Sequence, residues 1–452
     1  MIGSLVLADL HEEFGGALIG ESVEFDSICT DTRTQQPGSL FVALSGEHFD
    51  GNQFASLAQS KGACAVVVSE AQDGLTIPQW VVEEPLIALG QMAAMVRSRF
   101  HGVVIAITGS AGKTTLRAMC EAILSLEGST HATQGNFNNE IGVPKTLFEL
   151  TDEHRFAVVE MGAGKRGDIA YLCGIASPDV TVVNNVLPAH IEGFGSLEGV
   201  AETKGAIYNI GSRGIRVLDV DSPYFSDWNR AYPSGEVIRI ANTAESTADY
   251  WVTSVSVNCD GQPSFLLHTP KGIVPINLQL LGTHNVHNAL VAAALCSAVG
   301  ASLESIEAGL RHVTAVAGRM SAKRTAAGAR LIDDSYNANP GSMKSALDAL
   351  AVQQGKRIFV MGNMAELGID SDAMHRDVGR YCTPDRLDLL VTVGESARLA
   401  TEESPVSAEA FSSHNEATEF LRQFDQDQSV ILVKGSRSAR MDQIITNLLS
   451  KD

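Results

Sequence analysis

No C-x-x-C pair occurs among the seven cysteines, which stand far apart at positions 29, 64, 120, 173, 259, 296 and 382. An odd, scattered set excludes a disulfide framework and a cysteine zinc site, and predicts reduced thiols within the core. Nor does any run approach the roughly 20 apolar residues that a membrane helix needs. The longest, "ALVAAALCSAVGA" from Ala289, reads as a buried helix, so insertion into a membrane is not expected. Basic residues are scarce: 33 Lys and Arg against 53 Asp and Glu leave a net charge of −20. That balance repels phosphate backbones and argues against a nucleic-acid partner, and an anionic small ligand would need its own local cations. No basic segment precedes the apolar residues of "MIGSLVLADLHEEF", so a secretory leader is not expected and the cytoplasm is the expected location. Fixed-period repeats and low-complexity tracts are also absent.

What is present is a long, ordinary globular composition. At 452 residues, with 44% hydrophobic and 19% charged, the chain exceeds one core and predicts three domains, over 1–100, 101–316 and 317–452. Short β-branched runs between Gly, Pro and Asp clusters ("SLFVALSG", "GACAVVVSE", "PQWVVEE") predict a small α/β module first. Near-continuous apolar runs then alternate with helical segments: "FAVVEMG", "DVTVVNNV" and "IRVLDV" predict parallel strands buried on both faces of a doubly wound sheet. A β-rich stretch over about 250–280 precedes a long helix opened by Thr283. The Ala- and Gly-rich segment from Val313 reads as a linker and domain start. After it "RIFVMG", "LDLLVTVG" and "SVILVKG" predict a third, Rossmann-like α/β domain.

One stretch carries chemistry on its face. In "VVIAITGSAGKTTLRAMC" a buried strand stops at Thr108, and a turn of Gly109, Ser110, Ala111 and Gly112 leads into a helix through Lys113, Thr114 and Thr115. Such a turn gathers backbone N–H groups and the positive end of a helix dipole around one small volume. Lys113 can then reach the outer phosphates of a nucleotide, and the Thr114 hydroxyl can ligate magnesium. The general pattern has a further glycine six residues before the lysine, where Ile107 stands here. Glu160 ends the next buried strand, where acidic residues commonly face a cation, and His190 follows the strand after it. By spacing alone, Lys204 reads equally well as a solvated helix cation. Asn136, Asn138 and Asn139 in "GNFNNEIG" form a dense polar turn, suited either to orienting a substrate carboxylate or γ-phosphate or simply to bonding its own backbone.

Taken in order, "TGSAGKTT", "GNFNNEIGVP", "VVEMGAGKRGDI", "NVLPAHIEGFGS", "ETKGAIY", "GTHNVHNAL", "AGRM" and "DDSYNANPGSM" resemble the Mur ligases of peptidoglycan synthesis. "DDSYNANP" and "VMGNMAELG" are similar to the members that add a terminal dipeptide, while the "DNPR" motif of meso-diaminopimelate-adding members is missing. The resemblance implies an ATP-dependent ligase that joins D-alanyl-D-alanine to UDP-N-acetylmuramoyl-tripeptide through an acyl phosphate, acting as a monomer. It further implies Thr114 and Glu160 on one magnesium ion, with His190 and a carbamylated Lys204 on a second. Lys113, Glu160, His190, Lys204 and Arg319 would carry catalysis, with Arg319 reaching the γ-phosphate when the C-terminal domain closes. Asn285, Asn288, Asp334, Tyr336 and Asn337 resemble adenine and ribose contacts. Asp31, Thr32, Arg33 and Gly46 lie in the segment similar to the family's nucleotide-sugar site, with Arg33 the candidate cation. His375 and Lys434 are the weaker candidates for the incoming dipeptide. The residues themselves leave open another amino-acid-adding or folylpolyglutamate-type ligase, a P-loop phosphotransferase or NTPase, and a non-catalytic nucleotide sensor.

Overall fold

The computed structural model of the chain describes residues 1–46, 49–189, 191–244 and 247–450. It forms two compact units: Met1–Ala106 with Gly128–Gly162 and Asp168–Asp179, and Ile107–Glu127 with Ala163–Gly167 and Val180–Asp452.

In the first unit the Val-rich runs behave as their composition dictates. A five-stranded sheet has the order Ala17–Ile19, Gln79–Val81, Ala65–Val68, Leu40–Val42, Ile28–Cys29, antiparallel at the first pair and parallel thereafter. Ala65–Val68 is buried at all four positions, which fits a strand covered on both faces. Pro85 opens the helix Pro85–Arg99, where its fixed φ and missing N–H cost nothing. That helix packs on Gly142–Phe148 and Asp168–Ala176. Asp179 fixes the start of the strand Val103–Thr108: its Oδ2 accepts the Val104 N–H at 2.8 Å and also an Arg97 N–H at 3.1 Å. A short strand, Thr130–Ala132, pairs in parallel with Phe156–Glu160.

The second unit holds two larger arrays. Strands Val180–Val183, Ile215–Asp219, Glu236–Ala241 and Tyr250–Val257 run parallel, and the hairpins through Pro263–Thr269 and Gly272–Asn277 extend them antiparallel. The helix His284–Ala298 is buried at eleven of its fifteen positions, in keeping with its apolar sequence and the absence of an amphipathic pattern. Further along, a six-stranded sheet has the order Ser321–Arg324, Arg330–Asp334, Ser429–Lys434, Lys356–Gly362, Leu389–Val393, Ser407–Phe411. Its two faces bury separate cores: Met343, Leu347 and Val378 on one, Leu421, Ile444 and Leu448 on the other. This is the doubly wound arrangement expected from the sequence.

The segment from Val313, read as a linker and domain start, carries the antiparallel pair Ser321–Arg324 and Arg330–Asp334, and Arg330–Asp334 finds its parallel partner about a hundred residues later in Ser429–Lys434. The strands Thr130–Ala132 and Glu236–Ala241 were not anticipated; the first is only three residues long, and the second mixes Glu and Arg into its apolar pattern. All seven cysteines are free, and burial pushes the Cys173 and Cys382 thiols up to about 12. Among the described residues no helix is long and apolar enough to cross a membrane.

Candidate active site

Beyond Thr108 the chain makes its turn with two glycines in conformations that side chains rarely adopt: Gly109 at φ 155° and Gly112 at φ 77°. A Cβ on Gly112 would stand 2.7 Å from Asn184 Nδ2 and 2.8 Å from Asn288 Oδ1, so glycine is required on steric as well as torsional grounds. Gly112 is also the residue on which the helix Lys113–Leu124 opens.

The loop is held from beneath by the two asparagines that follow the strand Val180–Val183. Asn185 accepts the Ala111 N–H at 2.8 Å through Oδ1 and donates to the Ala111 carbonyl at 3.0 Å. Its own carbonyl takes the Ser110 N–H at 3.1 Å. Asn184 donates through Nδ2 to the same Ala111 carbonyl and to Asn288 Oδ1, at 3.1 and 2.9 Å. Asn288 donates in turn to Asn285 Oδ1, and Asn285 to the Leu281 carbonyl, both at 2.8 Å. The loop is therefore pre-shaped by a buried chain of amides. The Ser110 and Ala111 amides, expected at phosphates, are spent on that support. Asn285 and Asn288, expected at adenine and ribose, are 3% exposed and belong to the same chain. No signal but the "NN" doublet at the end of a buried strand pointed to Asn184 and Asn185, and that end is where ligand loops gather in such sheets.

Lys113 folds back so that its Nζ donates to the Gly109 carbonyl at 2.8 Å, and Thr114 beside it is buried. Lys204 lies in the last turn of the helix Leu197–Gly205, which Ser196 caps by accepting the Gly199 N–H. At 2% exposure, with Nζ 5.9 Å from the Phe194 ring centre, it is no solvated surface cation. Arg319 stacks on the Tyr336 ring at 4.2 Å, and Arg437 approaches the other members of that cluster by donating to the Tyr336 hydroxyl at 3.3 Å. Asp334 is occupied: Oδ2 takes Lys434 Nζ at 2.6 Å and Oδ1 the Met320 N–H at 3.1 Å. Lys434 also reaches the carbonyl of the exposed Asn337, at 3.0 Å. His375 is fully buried, with one ring nitrogen on the Met364 N–H and the other on the Ser371 carbonyl. Lys434 and His375, the weaker dipeptide candidates, are thus internal ties. A cavity of about 330 Å³ opens beside the start of the helix His284–Ala298, lined among others by Thr283, His284, His287, Ser345 and Asp348. Burial there pushes the His284 pKa down, against the pull of Asp334.

The first unit carries the remaining candidates. Glu160 closes the strand Phe156–Glu160 at 1% exposure, and its Oε1 accepts from Asn138 Nδ2 at 2.7 Å. Asn139 stands just before the following helix, its Oδ1 accepting the Gly142 N–H at 3.0 Å, while the exposed Asn136 gives its carbonyl to the Asn138 N–H. Of the three asparagines, Asn138 alone meets a charged candidate. Arg33 donates through Nε and Nη2 to the Asp31 carboxylate, at 2.9 and 2.7 Å, and holds Asp31 down to about 2. Thr32 is buried with its carbonyl on Lys61 Nζ, and Gly46 forms a bridge with Phe49. His190 lies outside the described residues.

Comparison with known proteins follows the same landmarks. Family models match residues 24–97 (Mur ligase family, catalytic domain), 107–296 (Mur ligase middle domain) and 318–437 (Mur ligase, glutamate ligase domain). The UDP-N-acetylmuramoyl-tripeptide–D-alanyl-D-alanine ligase of Escherichia coli strain K12 is 42% identical over 448 residues, 98% of each chain. The chain belongs to the Mur ligase family. A Bacillus subtilis ligase of the same name is 31% identical over 95% of this chain and 94% of its own. Among solved Mur ligases, a crystal structure of MurF from Acinetobacter baumannii superposes with a TM-score of 0.92 at 35% identity, covering both chains completely. MurF of Thermotoga maritima, in complex with ADP, gives 0.84 at 26% identity over 93% and 96% of the two chains.

Proposed function

We propose that this Mur ligase uses ATP to join D-alanyl-D-alanine to the C-terminal carboxylate of UDP-N-acetylmuramoyl-tripeptide, releasing UDP-linked pentapeptide, ADP and phosphate. The observation that carries this reading is the loop Gly109–Lys113, held in a phosphate-receiving shape by Asn184 and Asn185 within a chain that is similar end to end to ligases of that activity.

A carboxylate is a poor electrophile, so the tripeptide carboxylate first attacks the γ-phosphate and becomes an acyl phosphate. The dipeptide amine then attacks the acyl carbon, phosphate leaves, and the amine proton goes to solvent. Such phosphoryl transfer asks for position and charge neutralisation more than for acid–base groups. Lys113 leaves the Gly109 carbonyl for the outer phosphates, and the amides at the start of the helix Lys113–Leu124 meet them. Arg319 adds a second cation at the γ-phosphate as the C-terminal segment closes. The cavity beside Thr283 and His284 takes the base. Asp31, Thr32, Arg33 and Gly46 serve the nucleotide sugar. The segments 1–100, 101–316 and 317–452 thus divide the three substrates among them, in a monomer.

The residue types suit magnesium: Thr114 in the second unit is a buried hydroxyl and Glu160 in the first a buried carboxylate, each a hard oxygen of the kind that ion takes. Lys204, buried against Phe194, would repel a metal as an ammonium; as a carbamate it would present carboxylate-like oxygens, with His190 as its companion. When bound, magnesium neutralises charge building on the transferred phosphoryl group. Purified protein given ATP, magnesium and UDP-N-acetylmuramoyl-tripeptide should release phosphate in step with pentapeptide only when D-alanyl-D-alanine is added. Sustained phosphate release without the dipeptide would instead identify an NTPase.

A further inference from the structure

Arg216, the second residue of the strand Ile215–Asp219, is 2% exposed, yet its Nε and Nη1 meet no hydrogen-bond partner among the described residues. A guanidinium keeps its proton in a protein, so its charge cannot be shed, and burying it without a counter-charge is costly. The sheet offers none beside it: in the parallel register Arg216 pairs with Thr181 on one side and Val237 on the other. Thr181, second in its own strand Val180–Val183, is fully buried, and its Oγ1 likewise meets no partner among the described residues. Side chains paired in this way stand on one face about 4.8 Å apart. Among the described residues the one titratable group that acts on Arg216 is Tyr208. The Tyr208 hydroxyl is already spent, accepting the Val183 N–H and donating to the Val217 carbonyl, both at 2.9 Å, and burial pushes its pKa up, so it stays neutral.

We infer that Arg216 and Thr181 form an internal site for a small monovalent inorganic anion of the halide type. Two guanidinium N–H groups and one hydroxyl can all donate to a single ion, which supplies the missing acceptor and the missing negative charge together. Water would supply only the first. The low exposure of Arg216 closes the site to bulky organic anions, and a phosphate would need more donors than these. In an interior of low dielectric the pairing of guanidinium and anion is stronger than it would be at the surface. The site stands apart from the phosphate loop: Arg216 and Thr181 lie near the starts of their strands, while Asn184 and Asn185 follow the far end of Val180–Val183. Its task is to neutralise the start of the parallel sheet, and the inference does not depend on the ligation proposed above.

The test follows thermal unfolding of the full chain in sodium bromide, sodium chloride and sodium gluconate at one ionic strength and one pH. The halides should raise the midpoint along a saturating curve, by about 2–4 °C once well above Kd, and gluconate should not. Thr181→Val keeps the shape and removes one donor, so about tenfold more halide should be needed for the same rise. Arg216→Met should erase the dependence altogether; if that variant does not fold, Thr181→Val carries the test. Crystals grown in bromide should show anomalous scattering within hydrogen-bond distance of Arg216 Nε or Nη1. Equal midpoints in the three salts, or a halide effect unchanged in the variants, would overturn the inference. So would a bromide peak at Arg216 with no effect on unfolding, which would mark an adventitious ion only. Because unfolding is read without nucleotide, sugar nucleotide or dipeptide, failure of the ligation assay leaves this readout intact.

Discussion

Lys113 and Gly112 do different work one bond apart. In the proposed reaction Lys113 is the movable cation; its Nζ is tied only to the Gly109 carbonyl among the bonds of the loop described above, so truncating it would remove that charge without disturbing the buried amides below. Lys113→Ala should therefore lower kcat by about 10³-fold, the scale for losing one oriented electrostatic donor, while thermal unfolding barely shifts. Gly112 is the fixed element: at φ 77°, with Asn184 Nδ2 and Asn288 Oδ1 within 2.8 Å of a Cβ placed there, a side chain is strained and pushes those amides aside. Gly112→Ala should cost about 1–3 kcal/mol of stability from backbone strain and raise KM for ATP, both measurable on one preparation. Of this pair, the lysine and its spacing were legible in the sequence. The supporting Asn184 and Asn185 were not, because their partners, Ala111 and Asn288, lie 73 and 104 positions away along the chain.

At the scale of elements, the site depends on where helices begin. Asn339 caps the helix Pro340–Ala351 with a reciprocal pair: its side chain accepts the Ser342 N–H while the Ser342 hydroxyl takes the Asn339 N–H. Pro340 follows at the first helical position. Ser345 and Asp348, on the wall of the cavity, ride on that helix. Asn339→Ala should destabilise the protein by about 1 kcal/mol, seen as a lower midpoint in urea, and weaken ATP binding more than binding of the sugar nucleotide. The motif "NANPGS" announces the cap in the sequence itself. Its link to a cavity does not appear there, since the opposite wall comes from Thr283, His284 and His287.

At the scale of the whole molecule, pH acts through buried rings. His131, His284 and His375 are all held below the ordinary imidazole range, in each case chiefly by burial. Below about pH 6.5 the unfolded chain binds protons that the folded one refuses, so this stability is complete above that value and is lost as pH falls further. Thermal unfolding should be level from about pH 8 to about pH 7 and drop steadily toward pH 5, and His375→Gln should make the drop shallower. A midpoint that rises on acidification would contradict the assignment of neutral, internally bonded rings.

Sequence alone determined the fold class, the glycine turn before Lys113 and the family resemblance, because those rest on local patterns: apolar runs of strand length, glycines before a lysine, motifs in a fixed order. Tertiary structure alone decided which polar residues hold the framework. Asp334 pairs with Lys434 across a hundred positions, and Asn285 and Asn288 sink into a chain of amides, while His287 comes to rest on Asn184. The physical reason is that a buried polar group must find a partner wherever the fold supplies one. That partner is set by strand order and helix packing, and no spacing along the chain encodes it.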